Sequence, residues 1–465
     1  MRMYVCGITA YDYCHIGHAR SALAFDMIYR YLLYRGYQVT YIRNFTDIDD
    51  KIINRAHELE TTPEELSERF IRAFHDDMEV LGVAPPSLEP KATGHVGEII
   101  AMIEELIDKG LAYQVDGDVY YVVDRFPAYG RLSKRTLEDM EAGARISINE
   151  KKNNPMDFAL WKSSKPGEPT WESPWGPGRP GWHIECSAMS RKYLGDSFDI
   201  HGGGKDLIFP HHENEIAQSE GATGKPFVNT WIHHGFVTIK EEKMSKSLGN
   251  FLTIRDVLSQ YHPEALRLFV FSSHYRTPLS YSDTAMQEAE AALNRFYSCL
   301  SAIMKLSPAD APGTGPVASE KDRKKIDTLA ARFTKSMDND FNTAQGLAHL
   351  FDIIKTLNKI LRLLPPAPAR PDVELLKKGA GELRVLAGIM GFLREDPAGY
   401  MEKKRAELLD KLDIDADTIR AMIRERDRAR MEKDWARGDA IRAELLARQI
   451  ELQDGPEGTT WDVKV

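Results

Sequence analysis

The sequence predicts an α/β protein built around a parallel, Rossmann-like sheet, and its opening segment is the first reason. A short apolar strand, Met3 to Cys6, leads through a loop opened by Gly7 into a helix from about Ala19 to Arg35. Apolar residues recur in that helix at intervals of three and four, and Gly36 marks its end. A strand, a tight loop and a helix start form the half-unit that binds phosphate groups in doubly wound α/β folds.

The second reason is that strands and helices alternate up to about residue 110 and again from about Gly181. The predicted elements are a strand at Val39–Arg43, helices through Glu64–Leu81 and Ile99–Lys109, strands at Val119–Val123 and Ser197–His201, a helix after Pro210 and a strand-like run at Gly235–Ile239. Residues 111–180 differ in character and end in a Trp-, Pro- and Gly-rich stretch. The α/β pattern therefore resumes after an interruption.

The C-terminal part of the sequence is mostly helical. It predicts helices at Thr284–Lys305 and Lys321–Leu364, with Pro-rich linkers at Pro308–Pro316 and Pro365–Pro371. Beyond about Asp396 a mostly charged helical stretch gives way to a strand, a Gly-Pro-Glu-Gly turn and a last strand. This pattern predicts a helical bundle followed by a small mixed module.

Composition limits the class of protein. The chain has 465 residues, enough for about three domains, and 28% of them are charged, as in ordinary globular proteins. No apolar run reaches the ~18 residues of a membrane span, and no basic-then-apolar leader opens the chain. We therefore expect a soluble cytoplasmic protein without a membrane partner. The four cysteines, Cys6, Cys14, Cys186 and Cys299, are far apart, which argues against a disulfide framework.

Two short motifs suggest a function. The tetrad His15-Ile16-Gly17-His18 stands at the predicted helix start, where Gly17 lets backbone approach a ligand and both imidazoles can donate to phosphate oxygens. Taken alone, two histidines there are more often capping residues. The pentapeptide Lys243-Met244-Ser245-Lys246-Ser247 follows a strand-like run and would alone be read as a solvated loop. An ordered pair of such motifs rarely arises by chance.

Together the two motifs resemble the signatures of class I aminoacyl-tRNA synthetases. Four further stretches resemble cysteinyl-tRNA synthetases, and the similarity extends to residues 454–461; these stretches are residues 3–7, 44–51, 181–187 and 201–215. Members of that family usually carry a further segment before the first strand. Since this chain starts only a few residues before Cys6, we expect either a late start or a missing outer strand.

The resemblance implies a class I synthetase Rossmann-like parallel-sheet core with a connective insertion, a helical bundle and a small mixed anticodon-binding domain. The expected divisions are residues 1–110 and 181–240 for the two halves of the core, 111–180 for the insertion, 241–290 for the lysine-motif loop and stem-contact region, 291–395 for the bundle and 396–465 for the anticodon-binding domain. The insertion looks too short to hold an editing domain. We expect a monomer.

The resemblance also implies one zinc ion per chain, bound by Cys6, Cys186, His211 and Glu215. Spacing alone supports only part of this set, since His211 and Glu215 stand four apart and leave one face of a helix. A lone cysteine in a strand is usually a small core residue. A purely structural zinc is the alternative to one that selects cysteine over serine. We assign supporting roles to the neighbours His212 and Glu213, and packing roles to Cys14 and Cys299.

The activity that the resemblance implies is ATP-dependent charging of tRNA(Cys) with L-cysteine, with Mg²⁺ on the ATP phosphates. The implied ATP-binding and catalytic residues are His15, Gly17, His18, Gly203, Lys243 and Lys246. Gly203 is placed just after a strand, although a glycine triplet alone is more often a plain turn. Thr46, Trp182 and His201 are expected to line the amino-acid pocket.

The expected tRNA contacts are Arg430, Trp435, Asp439 and Asp454. Arg430 offers a cation for a phosphate or a guanine, and Trp435 offers a face on which a base can stack. The two aspartates offer carboxylate acceptors for base edges. For each of them a solvated helix surface or a core tryptophan is an equally good explanation. Two rival functions are considered: a cysteine ligase on the same core that transfers to an amino sugar, and a catalytically silent tRNA-binding paralogue. The C-terminal module disfavours the first, and the intact histidine and lysine motifs disfavour the second.

Overall fold

The computed structural model describes residues 1–135, 152–239, 242–243, 251–309, 316–448, 450–455 and 458–463. The chain divides into two compact units. The first contains residues 1–286, 334–347 and 389–391, and the second contains residues 287–333, 348–388 and 392–465. No helix in the described part of the chain is both long enough and apolar enough to cross a membrane.

A four-stranded parallel sheet forms the centre of the first unit. In spatial order its strands are Thr40–Arg43, Arg2–Val5, Phe198–Gly204 and Val228–His234. The two central strands come from distant parts of the sequence, and from each of them the chain continues outward in the opposite direction. Ligands of open α/β sheets bind at such a switch point, beyond the carboxyl ends of the strands. The predicted α/β fold class is confirmed.

Helices flank this sheet. In the first unit the α-helices are Ile16–Tyr34, Asp50–Glu58, Pro63–Val80, Val96–Asp108, Trp182–Leu194, Glu213–Thr223, Ile254–Leu258 and Pro263–Phe271. The first of them begins at Ile16, three residues before the predicted Ala19, because His15 supplies the N-cap that starts the helix. Its apolar face, which includes Leu23, Met27 and Ile28, is fully buried.

Residues 112–180 contain a separate antiparallel sheet in the described part of that segment. Its strands are Ala112–Val115, Asp118–Tyr121, Phe158–Ser163 and Gly178–Pro180. Of these four, the sequence predicted only the second. The fully buried Trp161 and Tyr121 pack into one core with apolar residues of the helix Val96–Asp108. A smaller sheet joins Val237–Ile239 to Glu242–Lys243 and Leu279–Tyr281.

The C-terminal part is helical and ends in a hairpin. The helices are Asp283–Met304, Glu320–Asp327, Leu329–Met337, Thr343–Leu363, Arg370–Ile389, Pro397–Lys411, Ala416–Met431 and Trp435–Ala447, and the hairpin joins Ile450–Gly455 to Gly458–Val463. The helical character predicted for Lys321–Leu364 is confirmed, and the stretch is divided among three helices. One break falls at Asp340 and Phe341, whose φ angles of 56° and 51° are left-handed and cannot continue a right-handed helix.

Candidate active site and metal-binding cluster

A cavity of about 350 Å³ lies beyond the carboxyl ends of the two central strands. Its wall includes Cys6, Gly7, Tyr11, His15, Gly17, His18, Trp182, Gly204, Asp206 and His234. The volume falls in the range of small-molecule pockets, and the position is the switch point of the sheet. The predicted histidine tetrad therefore faces the place where a ligand of this fold is expected.

The two histidines of the tetrad form a capping box at the first helix. Nδ1 of His15 accepts the Gly17 backbone N–H at 3.0 Å, and Nδ1 of His18 accepts the His15 backbone N–H at 3.1 Å. Their rings stack with centroids 3.8 Å apart. Burial holds the pKa of His18 well below its usual value, so that ring is neutral. Since both Nδ1 atoms accept, both Nε2 atoms carry the hydrogen. Capping and phosphate binding are therefore compatible, because capping uses Nδ1 of each ring and a phosphate would use Nε2.

Two glycines permit close approach of neighbouring groups. A Cβ at Gly7 would lie 1.6 Å from the backbone oxygen of Asn44, so only glycine fits where the loop leaves the strand. A Cβ at Gly203 would lie 2.9 Å from a ring carbon of His212. The prediction that the glycine triplet follows a strand is wrong, because Gly203 and its neighbours are the last residues of Phe198–Gly204.

The four expected zinc ligands lie together. The Cys6 sulfur is 3.8 Å from the Cys186 sulfur, 3.5 Å from His211 Nε2 and 3.5 Å from Glu215 Oε1, and the last two atoms are 3.1 Å apart. A tetrahedral ion with ligand bonds of about 2.0–2.3 Å would place its ligand atoms about 3.3–3.8 Å apart. The donor set therefore fits a metal ion of zinc's size and preferences, and the cluster can hold a metal.

Burial makes the cluster electrostatically interdependent. The hydrogen bond from Cys6 lowers the pKa of Cys186 to about 6, whereas burial raises the pKa of Cys6 well above its usual value. Burial alone would lower the pKa of His211, but the Glu215 carboxylate raises it to about 10. Burial alone would raise the pKa of Glu215, but His201 and His211 hold it well below its usual range. A metal ion would thus displace protons from the Cys6 thiol and the His211 imidazole.

Sequence reasoning missed part of the surroundings of the cluster. His183 Nδ1 lies 2.9 Å from His211 Nδ1, which leaves His211 Nε2 facing Cys6 and Glu215. A signal for it existed, since His183 precedes Cys186 by three residues on one helix, and residues three apart share a face. His212 Nε2 lies 3.4 Å from the Cys6 sulfur. Cys6, His201, His212 and Glu215 also form a second group that could hold an ion.

Of the three residues expected in the amino-acid pocket, one lies on the cavity wall and two are buried beneath the surface. Trp182 is 37% exposed, lies on the cavity wall and stacks on the His211 ring at 4.3 Å. Thr46 is buried and donates its hydroxyl hydrogen to Glu185 at 2.9 Å. His201 is fully buried and bonds to Glu215 Oε2 at 2.8 Å. Trp182 can therefore touch a ligand directly, whereas Thr46 and His201 are engaged with carboxylates.

The lysine motif is described only in part. The backbone of Lys243 belongs to a strand that pairs with Val237–Ile239, and Lys246 lies outside the described residues. The residues that follow the motif contact the histidine tetrad, because Ile16 N donates to Leu252 O at 3.1 Å and the Phe251 ring meets the His15 ring edge-on at 5.3 Å. The two predicted signatures are thus linked through this flanking segment.

Comparison with known proteins adds the decisive observation. Residues 1–291 match the family described as tRNA synthetases class I (C) catalytic domain, and residues 332–394 match the DALR domain. The chain is 62% identical to a cysteine–tRNA ligase of Desulfotalea psychrophila, with 100% of this chain and 94% of that protein covered. The chain belongs to the cysteine–tRNA ligase family. A second family member, from Syntrophotalea carbinolica, is 53% identical over 99% of this chain and 95% of its own length.

Solved structures agree on the fold. A methionyl-tRNA synthetase of Mycobacterium tuberculosis in complex with methionyl-adenylate superimposes with a TM-score of 0.62 at 18% identity, over 90% of this chain and 94% of that one. At that identity the match speaks for the class I synthetase fold alone. The family and fold class predicted from the sequence are both confirmed.

In this member of the cysteine–tRNA ligase family, two of the residues expected to contact tRNA pair with each other. Arg430 Nη1 lies 3.0 Å from Asp454 Oδ2, and Arg426, which the sequence did not single out, donates to both oxygens of Asp454 at 2.8 Å. Trp435 is 59% exposed and Asp439 is also exposed on the same helix. Arg426 lies one turn before Arg430, so their spacing was a usable signal for a shared partner.

Proposed function

We propose that this chain activates L-cysteine with ATP and transfers it to tRNA(Cys). Membership of the cysteine–tRNA ligase family supports the reaction class. The observation that carries the proposal is the position of Cys6, which lies both on the wall of the switch-point cavity and in the metal-binding cluster. A substrate held in that cavity can therefore present its side chain to the cluster and its carboxylate to the nucleotide.

We propose zinc as the metal, held by Cys6, Cys186, His211 and Glu215. Cysteine and serine differ by one atom, and shape alone discriminates such analogues by only ~1–3 kcal/mol. Bound zinc would offer a coordination position to the sulfur of the substrate and would favour its thiolate form. The hydroxyl group of serine is a much poorer zinc ligand. Trp182, stacked on the His211 ring, closes the cavity beside these ligands. His183 fixes the nitrogen that His211 turns toward the metal site.

In the activation step an oxygen of the cysteine carboxylate forms a bond to the α-phosphorus of ATP. The bond from that phosphorus to the bridging oxygen breaks, and pyrophosphate leaves with its electron pair. We propose that His15 and His18 donate their Nε2 hydrogens to phosphate oxygens from the helix start, with backbone at Gly17 and Gly203 approaching the nucleotide. Lys243 and Lys246 would supply positive charge that balances the negative charge developing on the leaving pyrophosphate. We expect Mg²⁺ to accompany the ATP.

For tRNA we propose that residues 396–465 read the anticodon. We also propose that residues 1–110 and 181–240 are the two halves of the catalytic core around the insertion 111–180, that 241–290 form the lysine-motif loop and stem-contact region, and that 291–395 form the helical bundle. The exposed Trp435 is suited to stack on an unpaired base. Any base contact by Arg430 or Asp454 must compete with the ion pair between them, whereas Asp439 is exposed to solvent. We place the activity in the cytoplasm and propose that one chain is sufficient for it.

ATP–pyrophosphate exchange by the zinc-loaded chain tests the proposal. We expect exchange with cysteine and at least 100-fold less with serine at equal concentration. Cys299→Ala, which removes a buried thiol outside the cluster, should behave as wild type. Equal exchange with both amino acids would refute selection by the metal site. Exchange with cysteine followed by transfer only to an amino sugar would favour the rival ligase, which no observation on this chain favours.

A further inference from the structure

Three of the four proposed zinc ligands each have an imidazole partner that is not itself in the ligand set. Glu215 Oε2 is bonded to His201 Nε2 at 2.8 Å, and His211 Nδ1 lies 2.9 Å from His183 Nδ1. The third pair is the Cys6 sulfur and His212 Nε2, 3.4 Å apart. The first two partners can be understood as groups that orient ligands. The third contacts a sulfur and needs its own explanation.

Charge balance explains why a sulfur here needs a donor. Two thiolates and one carboxylate around a divalent ion leave a net charge of −1. Cys186, His211 and Glu215 are at most 2% exposed, so water does not solvate this charge well. Hydrogen bonds from neutral N–H groups to the anionic ligands are the available compensation. His212 is fully buried and stands within reach of the sulfur of Cys6.

The orientation of His212 is set from its other side. His212 Nδ1 lies 2.8 Å from His233 Nε2, so one hydrogen lies between the two rings. When His233 supplies that hydrogen, His212 must carry its own on Nε2, which is the atom that faces Cys6. The ring cannot turn away, because it packs at 4.7 Å from the His201 ring and 4.9 Å from the Trp231 ring.

We propose that His212, oriented by His233, is a positioning residue that donates its Nε2 hydrogen to the thiolate of Cys6 and so sets how strongly this sulfur holds the metal. The proposal rests on the proposed zinc site. Of the four ligands, Cys6 is the one on the cavity wall. The hydrogen bond therefore acts on the ligand nearest to the incoming substrate. A weaker bond from this sulfur leaves the metal better able to accept the substrate thiol.

The full chain loaded with Co²⁺ tests this, because the thiolate-to-cobalt charge-transfer band reports the electron density on sulfur. His212→Phe keeps an aromatic ring and removes the donor, and we expect the band to move to lower energy because electron density returns to the Cys6 sulfur. His233→Phe frees the tautomer and should give a smaller shift in the same direction. His95→Phe is the matched control, since His95 is a buried histidine that bonds Lys91 O and Tyr193 instead.

Each outcome bears on the proposal. An unchanged band in His212→Phe overturns it, and if that variant does not fold, an unchanged band in His233→Phe does so. Loss of one nitrogen ligand from the cobalt X-ray absorption spectrum of His212→Phe would overturn it too, because His212 would then be a ligand in the second group with His201. If wild-type chain binds no cobalt, the proposed metal site itself fails, and the inference is overturned with it.

Discussion

Replacing His15 by asparagine or by alanine separates its two roles. Asparagine is a good N-cap, and its side-chain oxygen can accept the Gly17 N–H as His15 Nδ1 does at 3.0 Å. It is shorter than histidine and does not reach the position of Nε2 of His15, a residue of the cavity wall. Alanine loses both the cap and the donor. The two variants should therefore be alike in catalysis and different in stability.

The magnitudes follow from the contacts. Losing one preorganised donor to a transition-state charge costs about 2.7–4 kcal/mol, a 10²- to 10³-fold slower adenylate formation in both variants. Losing the cap costs about 1 kcal/mol, so the alanine variant alone should be destabilised by that amount. Thr62→Ala is the matched control, because it removes the cap of another capping box and Thr62 is not among the described residues that line the cavity. That variant should lose similar stability and no activity.

The assay is single-turnover formation of adenylate with saturating ATP and cysteine, beside chemical unfolding of each variant. A wild-type rate in His15→Asn would refute the role of His15 as a donor and leave it a capping residue. Equal stability of the asparagine and alanine variants would instead refute the capping argument.

Four further outcomes are expected. Cys186→Ala should lose nearly all bound zinc by metal analysis, and full retention would remove it from the ligand set. Lys246→Ala should slow adenylate formation by orders of magnitude with zinc content unchanged; an unchanged single-turnover rate would exclude it from the mechanism. Asp26→Ala should lower the free energy of unfolding by about 3–5 kcal/mol, because it leaves the buried Arg267, 2.8 Å away, without its ion-pair partner; a loss below 1 kcal/mol would contradict this. Trp435→Ala should raise the KM for tRNA and leave pyrophosphate exchange unchanged, whereas an unchanged KM would argue against stacking.

Residue patterns within a short segment predicted those secondary-structure elements that the segment's own residues determine. The strand, loop and helix at the start of the chain follow from apolar spacing and from Gly36 as a stop signal. The break at Asp340 had a signal as well, since Asp and Asn tolerate left-handed backbone, but the apolar spacing on both sides masked it. Strand Ala112–Val115 is short and carries no alternation strong enough to identify it.

The site shows where local reasoning stops. Spacing related His211 to Glu215, but Cys6 is 209 residues from Glu215 and joins it only through the sheet. The resemblance to a family supplied that connection. His233 reaches His212 because the strand Val228–His234 lies beside the glycine-rich strand, whose residues lack side chains at the contact. No pattern within either segment indicates that pairing.

Charging of tRNA(Cys) transcript by the full chain with radiolabelled cysteine, ATP and Mg²⁺ tests the central claim most directly. The account predicts acid-precipitable label that depends on ATP, disappears with Cys186→Ala and does not form when serine replaces cysteine. Label on tRNA with serine, or cysteine-dependent pyrophosphate exchange without any label on tRNA(Cys), would contradict it.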